Sequence, residues 1–258
     1  MNLSAVILTK NEEKNIERCL KSLTFCDEII IVDDYSEDKT LEKCQMFVFG
    51  GRSNVKCQMF KRKLNGNFAE QRNFGLGKAR GDWVLFIDSD EKVSKKLAEE
   101  IVEVTNNLRL YSGFFLKRDD FIWGKRLNFG ECGSIKILRL AKRGDGKFER
   151  CVHEVWKIDG KIGILKNHLN HFPHPTLSEF IYDINKMSDL HALANKEDGK
   201  KATLAKIVFW PQAHFLKNYI VKRGLRDGMA GFVFALIMSF HSYLAWSKLW
   251  LLQKGSQK

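Results

Sequence analysis

The sequence predicts an α/β protein with a mostly parallel sheet, helices on both faces of that sheet, and a helical C-terminal extension. Three observations support this fold class. Apolar runs of strand length alternate with helical patterns through the first hundred residues. The runs are continuously apolar, which is typical of parallel strands covered on both faces. Helical periodicity dominates again from Thr176 onward.

The predicted elements follow in chain order. Strands are expected at 3–8, 28–34, 54–60 and 82–88, and helices at 13–23, from a cap at Ser36, at 68–81, and from a cap at Ser94 to about Leu108. After residue 110 closely spaced turn glycines indicate short strands or a β-rich flap. Helices are expected at about 176–196, 202–224 and 228–252. We therefore predict two domains, 1–172 and 173–258.

Charge and cysteine usage narrow the function classes. The formal net charge is +12, and residues 196–258 hold eleven Lys and Arg against three Asp and Glu. A basic end that is also rich in aromatic residues suggests an anionic partner, lipid or nucleic acid, although a solvated helical face has the same composition. Six scattered cysteines without a C-x-x-C pair, and an N-terminus without an export signal, predict reduced thiols in a cytoplasmic protein.

The strongest local signal is Asp88-Ser89-Asp90, directly after the predicted strand WVLFI. Ligands of open α/β sheets bind beyond the carboxyl ends of the strands, so these carboxylates are expected to face a substrate. A divalent cation held by carboxylates and by substrate phosphates neutralises such a pair, and it offsets the charge of a leaving diphosphate. An exposed turn is the plain alternative for D-x-D.

Two other predicted strands end in polar residues. Asp33 and Asp34 end the second strand, and Thr9, Asn11 and Glu12 follow the first. We expect the three strand ends to meet along one edge of the sheet. Helix capping accounts for Ser36, Asp38 and one residue of the pair Asp33 and Asp34. The other residue of that pair would be explained as an acceptor for the imide N–H of a uracil.

Arg72 lies on the helix that precedes the D-x-D strand. An arginine at this place is able to bind a diphosphate through two parallel hydrogen bonds. The alternative is an ordinary surface arginine.

The segments ILTKNEEKNIERCLKSL, DEIIIVDDYSEDKT and FAEQRNFGLGKARGDWVLFIDSDE together resemble the N-terminal half of the family 2 inverting glycosyltransferases, which have the GT-A fold. The later segments WGKRLNFG, KILRL and VHEVW resemble the branch that contains bacterial lipopolysaccharide-core β-glucosyltransferases. The resemblance implies nucleotide contacts from a set of strand-end residues, with Mg²⁺ or Mn²⁺ on Asp90. That set comprises Thr9, Asn11, Glu12, Asp33, Asp34 and Asp88, with Arg72 at the phosphates and Asp88 also counted with the metal ligands.

The same resemblance implies a general base that deprotonates the acceptor hydroxyl. Glu154, in His153-Glu154-Val155-Trp156, is the candidate, and a structural ion pair is the alternative for it. Asp120 and its neighbour Asp119 are the reserve candidates, and His153 is a candidate for the metal shell. His168, His171 and His174 fit a loop of hydrogen-bonded histidines better than a zinc site, because no cysteine lies nearby; an acceptor or phosphate contact at His171 is also implied.

Met229 to Trp246 contains no formally charged residue over eighteen positions. Upstream, basic residues alternate with tryptophan and large aliphatic residues, which is typical of helices that lie in the lipid interface. We expect docking on the inner face of the cytoplasmic membrane. A membrane span and a buried or dimerising helix pair are the alternatives for this segment.

These observations predict a metal-dependent inverting glycosyltransferase. It would transfer a hexose from a nucleotide-diphospho-sugar, with UDP-glucose the leading donor, to a lipid-linked or lipopolysaccharide-type saccharide. A sugar-nucleotide pyrophosphorylase is the alternative enzyme, but TKNEEKN is acidic where that class needs a basic glycine-rich loop. A nucleic-acid-binding protein is the non-enzymatic alternative; no nucleic-acid reader motif occurs in the sequence, so no nucleic-acid partner is expected.

Overall fold

The structure is a computed structural model that describes residues 3–49, 55–107, 110–133, 135–151 and 154–255. The chain forms two compact units. Unit 1 comprises residues 1–118 and 136–171, and unit 2 comprises residues 119–135 and 172–258. The functional division predicted at 172 stays a prediction; by internal packing, the short segment 119–135 belongs with the C-terminal helices.

The elements are numbered in chain order. The strands are β1 Leu3–Thr9, β2 Glu28–Asp33, β3 Lys56–Lys61, β4 Trp83–Asp88, β5 Glu91–Val93, β6 Gly113–Ile122, β7 Lys125–Leu127, β8 Ile135–Lys142, β9 Gly146–Glu149, β10 Val155–Ile158 and β11 Ile162–His171. The helices are α1 Ile16–Lys21, α2 Thr40–Phe49, α3 Phe68–Lys78, α4 Lys95–Asn107, α5 Leu177–Glu197, α6 Leu204–Leu216 and α7 Met229–Gly255. A π-helical turn, Lys217–Val221, and a 3-10 turn, Gly224–Asp227, connect α6 to α7.

The main sheet has the strand order β3-β2-β1-β4-β8-β6-β11-β5. Its first four strands are parallel to one another, and β8 runs antiparallel to β4. The predicted parallel α/β half is therefore confirmed. β1, β2 and β4 are buried along almost their whole length, which explains why their sequences are continuously apolar rather than alternating.

Helix α3 packs closely on this sheet because of one glycine. A Cβ atom on Gly75 would lie 2.5 Å from Cγ1 of Val6 and 3.4 Å from Cγ2 of Val32. Only a residue without a side chain fits at that distance. The close approach packs α3 against β1 and β2, and Arg72 is among the buried residues of this helix.

Two local predictions need correction. Helix α2 begins at Thr40 rather than after a cap at Ser36, because Asp38 is the residue whose Oδ1 accepts the Thr40 N–H. The Ser36 hydroxyl instead donates to Asp33. After residue 110 the strands are not all short, since β6 and β11 have ten residues each.

Unit 2 is built mainly from helices. Helix α7 packs against α5 and α6 and buries Ala235, Ile237, Ala245 and Leu249, so the segment forms part of the core of this unit. In unit 2, β7 pairs with the end of β6, and Ile122 and Leu127 pack against Phe234 of α7. Within the described part of the chain, α7 is the helix that is long and apolar enough to cross a membrane. In its most apolar 18-residue stretch, 39% is buried.

Candidate active site

The ends of three parallel strands meet at one edge of the sheet in unit 1. Thr9 at the end of β1 is in register with Asp33 at the end of β2, and Leu8 is in register with Asp88 at the end of β4. The predicted meeting of Thr9, Asp33 and Asp88 along one edge is therefore seen in the structure.

Thr9 and Asp33 are both buried at this edge. The Asp33 carboxylate accepts two hydrogen bonds from Ser36, from its N–H at 2.9 Å and from its hydroxyl at 2.5 Å. The Thr9 hydroxyl is buried and makes no hydrogen bond. An unpaired buried hydroxyl is costly, and a water molecule or a ligand is the usual partner of such a group.

Asp34 and Asn11 shape the two loops that follow β1 and β2. Asp34 accepts the Leu64 N–H at 3.0 Å, so both aspartates of the pair have structural partners. Asn11 has a left-handed backbone, with φ at 53°, and its side chain accepts the Glu37 N–H at 2.8 Å. The Glu12 N–H donates to Oγ1 of Thr40 at 2.7 Å, which joins the first loop to the start of α2. These contacts hold the two loops to each other and to the start of α2.

Asp88 lies between two arginines from different elements. Nη2 of Arg72, on α3, donates to Oδ1 of Asp88 at 3.0 Å, and Nη2 of Arg139, on β8, donates to Oδ2. Burial acts to raise the pKa of Asp88, but the two guanidinium groups, Arg139 foremost, outweigh it and hold that pKa well below its usual value. Asp88 is thus an ionised acceptor whose two oxygens are both engaged by protein donors.

Arg72 is not a surface arginine. It is 4% exposed, and its guanidinium lies 5.7 Å from the ring centres of Phe86 and Phe148. Its Nε donates to Oε1 of Glu154 at 2.7 Å, while its Nη1 is buried without a hydrogen-bond partner. After the Thr9 hydroxyl, Nη1 of Arg72 is the second buried polar group at this edge that lacks a partner.

Glu154, the predicted base, lies just before β10 with 19% of its side chain exposed. The ion pair with Arg72 is the structural alternative predicted for Glu154, and its role as the base stays a prediction. His153 lies outside the described residues. The reserve candidates Asp119 and Asp120 belong to unit 2, where Asp119 pairs with Arg126 at 2.8 Å and Asp120 is 3% exposed.

Asp90 faces a histidine from the last strand of unit 1. Oδ2 of Asp90 lies 3.1 Å from Nε2 of His171, and the pairing of β11 with β5 aligns His171 with Glu91. Two ligands on adjacent corners of an octahedral ion with bonds of about 2.1 Å lie about 3.0 Å apart. The observed 3.1 Å is also the length of a hydrogen bond or ion pair, so the contact is compatible with two side chains that would ligate a divalent ion. The described residues contain no cluster of three or more His, Cys, Asp or Glu side chains arranged to hold a metal.

Two residues of this site, Glu91 and Arg139, were missed by sequence analysis. Glu91 is completely buried, accepts the Asp88 N–H at 2.8 Å and lies 3.9 Å from Arg139. Burial raises the pKa of Glu91, against the lowering effect of Arg139. The available signal was the position of Arg139 within KILRL. Side chains alternate between the two faces of a strand, and this alternation places the charged Arg139 among buried side chains.

The remaining histidines of the predicted group give no support to a zinc site. Nδ1 of His174 lies 3.1 Å from Oδ2 of Asp183 in unit 2, and the backbone oxygen of His168 accepts from Ser94. All six cysteines are free thiols.

Comparison with known proteins identifies the family of the chain. The sequence profile of glycosyl transferase family 2 matches residues 4–152. The lipopolysaccharide core biosynthesis glycosyltransferase LpsC of Rhizobium meliloti (strain 1021) is 30% identical over 251 residues, covering 96% of this chain and 92% of LpsC. An uncharacterized glycosyltransferase of Rickettsia typhi is 26% identical over 96% of this chain and 86% of its own length.

The fold comparison agrees as well. The crystal structure of glucosyl-3-phosphoglycerate synthase from Mycobacterium tuberculosis with phosphoglyceric acid superposes with a TM-score of 0.50 at 17% identity, covering 78% of this chain and 81% of that one. At this identity the likeness concerns the fold alone. Together with the profile match over more than half of the chain, these findings show that the chain belongs to glycosyl transferase family 2 and has the GT-A fold.

Proposed function

We propose that this protein is an inverting hexosyltransferase that uses a nucleotide-diphospho-sugar, namely a UDP-sugar, and requires Mg²⁺ or Mn²⁺. The acceptor is a lipid-linked or lipopolysaccharide-type saccharide, which is supported by the similarity to LpsC, a glycosyltransferase of lipopolysaccharide core biosynthesis. The observation that carries the proposal is the edge where Thr9, Asp33, Asp88 and Asp90 lie together, with two buried polar groups that lack partners.

The donor nucleotide would bind at the ends of β1 and β2. The unpaired Thr9 hydroxyl lies beside Asp33, and the Asn11 and Glu12 loop closes the same edge. Because Asp34 is held by Leu64, its contact with the nucleotide would use the carboxylate oxygen Oδ2. The unpaired Nη1 of Arg72 is the donor available to the diphosphate, as the sequence predicts for this residue.

The divalent ion would be held by Asp90 and His171, with diphosphate oxygens completing the shell. When bound, it supplies positive charge opposite the leaving diphosphate. Asp88 stays a predicted further ligand, because Arg72 and Arg139 each donate to one of its oxygens and each oxygen keeps a second lone pair. Its role in this proposal is to fix both arginines beside the phosphates. His153 stays a predicted further ligand.

Glu154 would act as the base. The acceptor hydroxyl oxygen attacks the anomeric carbon from the side opposite the diphosphate, its proton passes to Glu154, and the bond from the anomeric carbon to the diphosphate oxygen breaks. Arg72 fixes the orientation of the Glu154 carboxylate through Oε1. Arg72 therefore connects the base to Asp88, which lies next to the metal-binding Asp90. Asp120 stays the reserve candidate for the base.

The C-terminal unit would keep the enzyme on the inner face of the cytoplasmic membrane, where a lipid-linked acceptor is available. The support for this is the basic, apolar composition of residues 196–258 and the length of α7. One face of α7 packs within unit 2, which favours docking in the interface over a span. A contact between copies of the chain through the same surface stays an alternative.

A donor-hydrolysis screen tests the proposal. The full-length protein is incubated with Mn²⁺ and a panel of UDP-, GDP- and dTDP-sugars, with and without EDTA, and the released nucleoside diphosphate is measured. We expect metal-dependent release of UDP from one UDP-hexose. Release of pyrophosphate instead, or equal rates with and without EDTA, would contradict the proposal.

A further inference from the structure

The turn that connects α6 to α7, residues 216–229, exposes an unusual number of aliphatic side chains. Five large apolar residues in these fourteen positions are between 46% and 75% exposed, namely Leu216, Ile220, Val221, Leu225 and Met229. Val221 and Met229 are the most exposed of the five, at 75% each. Single exposed apolar residues are ordinary on protein surfaces, whereas a cluster of this size marks an interaction site.

The charges of the same turn have one sign at the surface. Four basic residues of the turn are exposed, namely Lys217, Lys222, Arg223 and Arg226. Asp227, its one acidic residue, is 3% exposed, and its carboxylate accepts the backbone N–H groups of Asn128 and Phe129 at 3.0 Å and 2.9 Å. The outer surface of the turn is therefore apolar and cationic, with its negative charge turned inward.

The turn is held in place by packing and hydrogen bonds within unit 2. The Gly130 N–H donates to the Lys222 carbonyl at 3.0 Å, and Lys125 donates to the Asp227 carbonyl at 2.6 Å. Gly224 approaches the Asn218 carbonyl so closely that a Cβ atom would lie 2.7 Å from its oxygen. The aliphatic residues are thus presented by a fixed backbone, and their insertion into another phase would cost little ordering entropy.

We propose that the α6–α7 turn inserts into the surface of an anionic lipid bilayer. The aliphatic side chains enter the boundary between headgroups and acyl chains, and the four cations contact the lipid phosphates. This deepens the proposed function, on whose membrane-bound acceptor it rests. It assigns membrane binding to this turn, where exposed cations and exposed aliphatic side chains lie within the same fourteen residues.

The side chains of the turn distinguish lipid from the other occupants. A groove for single-stranded nucleic acid needs aromatic stacking platforms, and the exposed apolar residues of the turn are all aliphatic or Met229. A two-fold contact between copies of the chain would bring the four cations of one turn against those of the other, which is repulsive. An anionic bilayer offers both an apolar phase and the complementary charge.

Vesicle flotation of the full-length protein tests this inference. Vesicles of phosphatidylcholine alone and with 30% phosphatidylglycerol are compared at low and high salt. The apolar variant is Leu216→Ser, Val221→Ser and Met229→Ser combined, and its control is Met46→Ser, Leu110→Ser and Ile164→Ser, exposed positions of unit 1. The charge variant replaces Lys217, Lys222, Arg223 and Arg226 by Gln, and its control replaces Arg80, Lys95, Lys96 and Lys136, which are also exposed.

We expect the wild type and both controls to bind the anionic vesicles and to lose binding at high salt. The apolar and the charge variants should each bind at least about tenfold more weakly, and the charge variant should also lose the salt dependence. Vesicle binding at the wild-type level by both turn variants would overturn the proposal. Turn variants that lose self-association between copies of the chain but still bind vesicles would overturn it as well. Val221→Asp alone, at a 75% exposed position, repeats the test with minimal risk to folding.

UDP-sugar hydrolysis is measured for every variant in the absence of vesicles. Unchanged hydrolysis together with weaker vesicle binding supports the assignment of the turn. If the wild type binds vesicles through the turn but hydrolyses no nucleotide-sugar, the proposed function fails while the lipid-binding surface stands.

Discussion

Arg72 and Glu154, which are 82 residues apart in the sequence, form a partly buried ion pair in which Nε of Arg72 donates to Oε1 of Glu154 at 2.7 Å. The other end of the same guanidinium donates to Asp88 at 3.0 Å. One arginine on α3 therefore connects the predicted base to the D-x-D segment. The rigid, planar guanidinium of Arg72 therefore sets the distance between Glu154, on the acceptor side, and Asp88, on the donor side.

Arg72→Lys tests this connection. An ammonium keeps the charge but cannot donate to Glu154 and Asp88 at once with the fork geometry of a guanidinium. We expect kcat to fall by about 100-fold, with a smaller change in KM for the donor, because misplacing a reacting group mainly affects the transition state. Steady-state kinetics with the donor found in the hydrolysis screen measures both constants.

Arg62→Lys is the control for that variant. Arg62 also donates to two side chains, Glu70 and Gln71, but pairs at the surface. We expect its kcat to stay within about twofold of the wild type, because loss of a surface ion pair costs little. A wild-type kcat in Arg72→Lys would show that the Arg72–Glu154 pair has no part in positioning the base.

Arg139 is expected to matter for stability as well as for the site. Its side chain is 9% exposed and lies between Asp88 and Glu91, so Arg139→Met would leave Asp88 with one cationic partner and would strip Glu91 of its nearby cation. Breaking a buried pair from one side costs about 3 kcal/mol of unfolding free energy. Urea denaturation measures the change. Lys157→Met, which breaks the exposed pair with Glu149, is the control and should leave the midpoint nearly unchanged.

Gly75 and Gly77 offer a matched pair on α3. In Gly75→Ala the new methyl group would lie 2.5 Å from Cγ1 of Val6, a buried β-branched residue of the sheet, so α3 or β1 must shift. We expect a loss of about 1–3 kcal/mol. In Gly77→Ala the methyl group meets nothing within 4 Å, and the better helix former should stabilise the protein by about 0.5–1 kcal/mol. Equal effects of the two variants in thermal denaturation would contradict the close packing of α3.

The pair of His214 and Glu131 in unit 2 makes stability depend on pH. Nε2 of His214 lies 2.7 Å from Oε1 of Glu131. The hydrogen bond to Glu131 raises the pKa of His214 against the effect of burial. Burial alone would raise the pKa of Glu131, but its contacts with His214 lower it.

The direction of the pH effect follows from these shifts. Stability from His214 is complete below its unfolded pKa of about 6.5 and is lost as pH rises through the higher folded value. Stability from Glu131 is complete above its unfolded pKa of about 4.3 and is lost as pH falls through its lower folded value. The pair therefore contributes most between about pH 5 and 6.

Glu131→Gln measures that contribution. We expect wild type and variant to differ by about 1 kcal/mol near pH 5.5, with a smaller difference by about pH 9. Chemical denaturation across this pH range gives the values. His214→Asn should show the same pattern, and a difference that does not change with pH would rule out the pair as its source.

The parallel half of the fold was predictable because its strands are continuously buried and therefore continuously apolar. Even so, the start of α2 was predicted too early. Ser36, Asp38 and Thr40 are all acceptable cap or first-turn residues, and only the contact of Ser36 with Asp33 decides which one caps the helix. That contact depends on a buried carboxylate whose position is set by the sheet.

The site was predictable in part for a similar reason. Thr9, Asp33 and Asp88 meet because parallel strands end at one edge, which a sequence pattern does reveal. The pairing of Asp90 with His171 was not predictable, since it depends on β11 returning antiparallel to β5. Likewise, Arg139 reaches Asp88 only because β8 joins the sheet beside β4. Such pairings between strands far apart in the sequence are not indicated by any local sequence pattern.

The rate of metal-dependent UDP-sugar hydrolysis by Asp90→Ala tests the central claim most directly. Asp145→Ala, in the turn between β8 and β9, is the control. We expect Asp90→Ala to lose at least about 100-fold in rate while keeping the wild-type unfolding midpoint, because the divalent ion loses its carboxylate ligand. A wild-type rate in Asp90→Ala, still abolished by EDTA, would mean that the ion is held elsewhere and that this edge of the sheet is not the catalytic site.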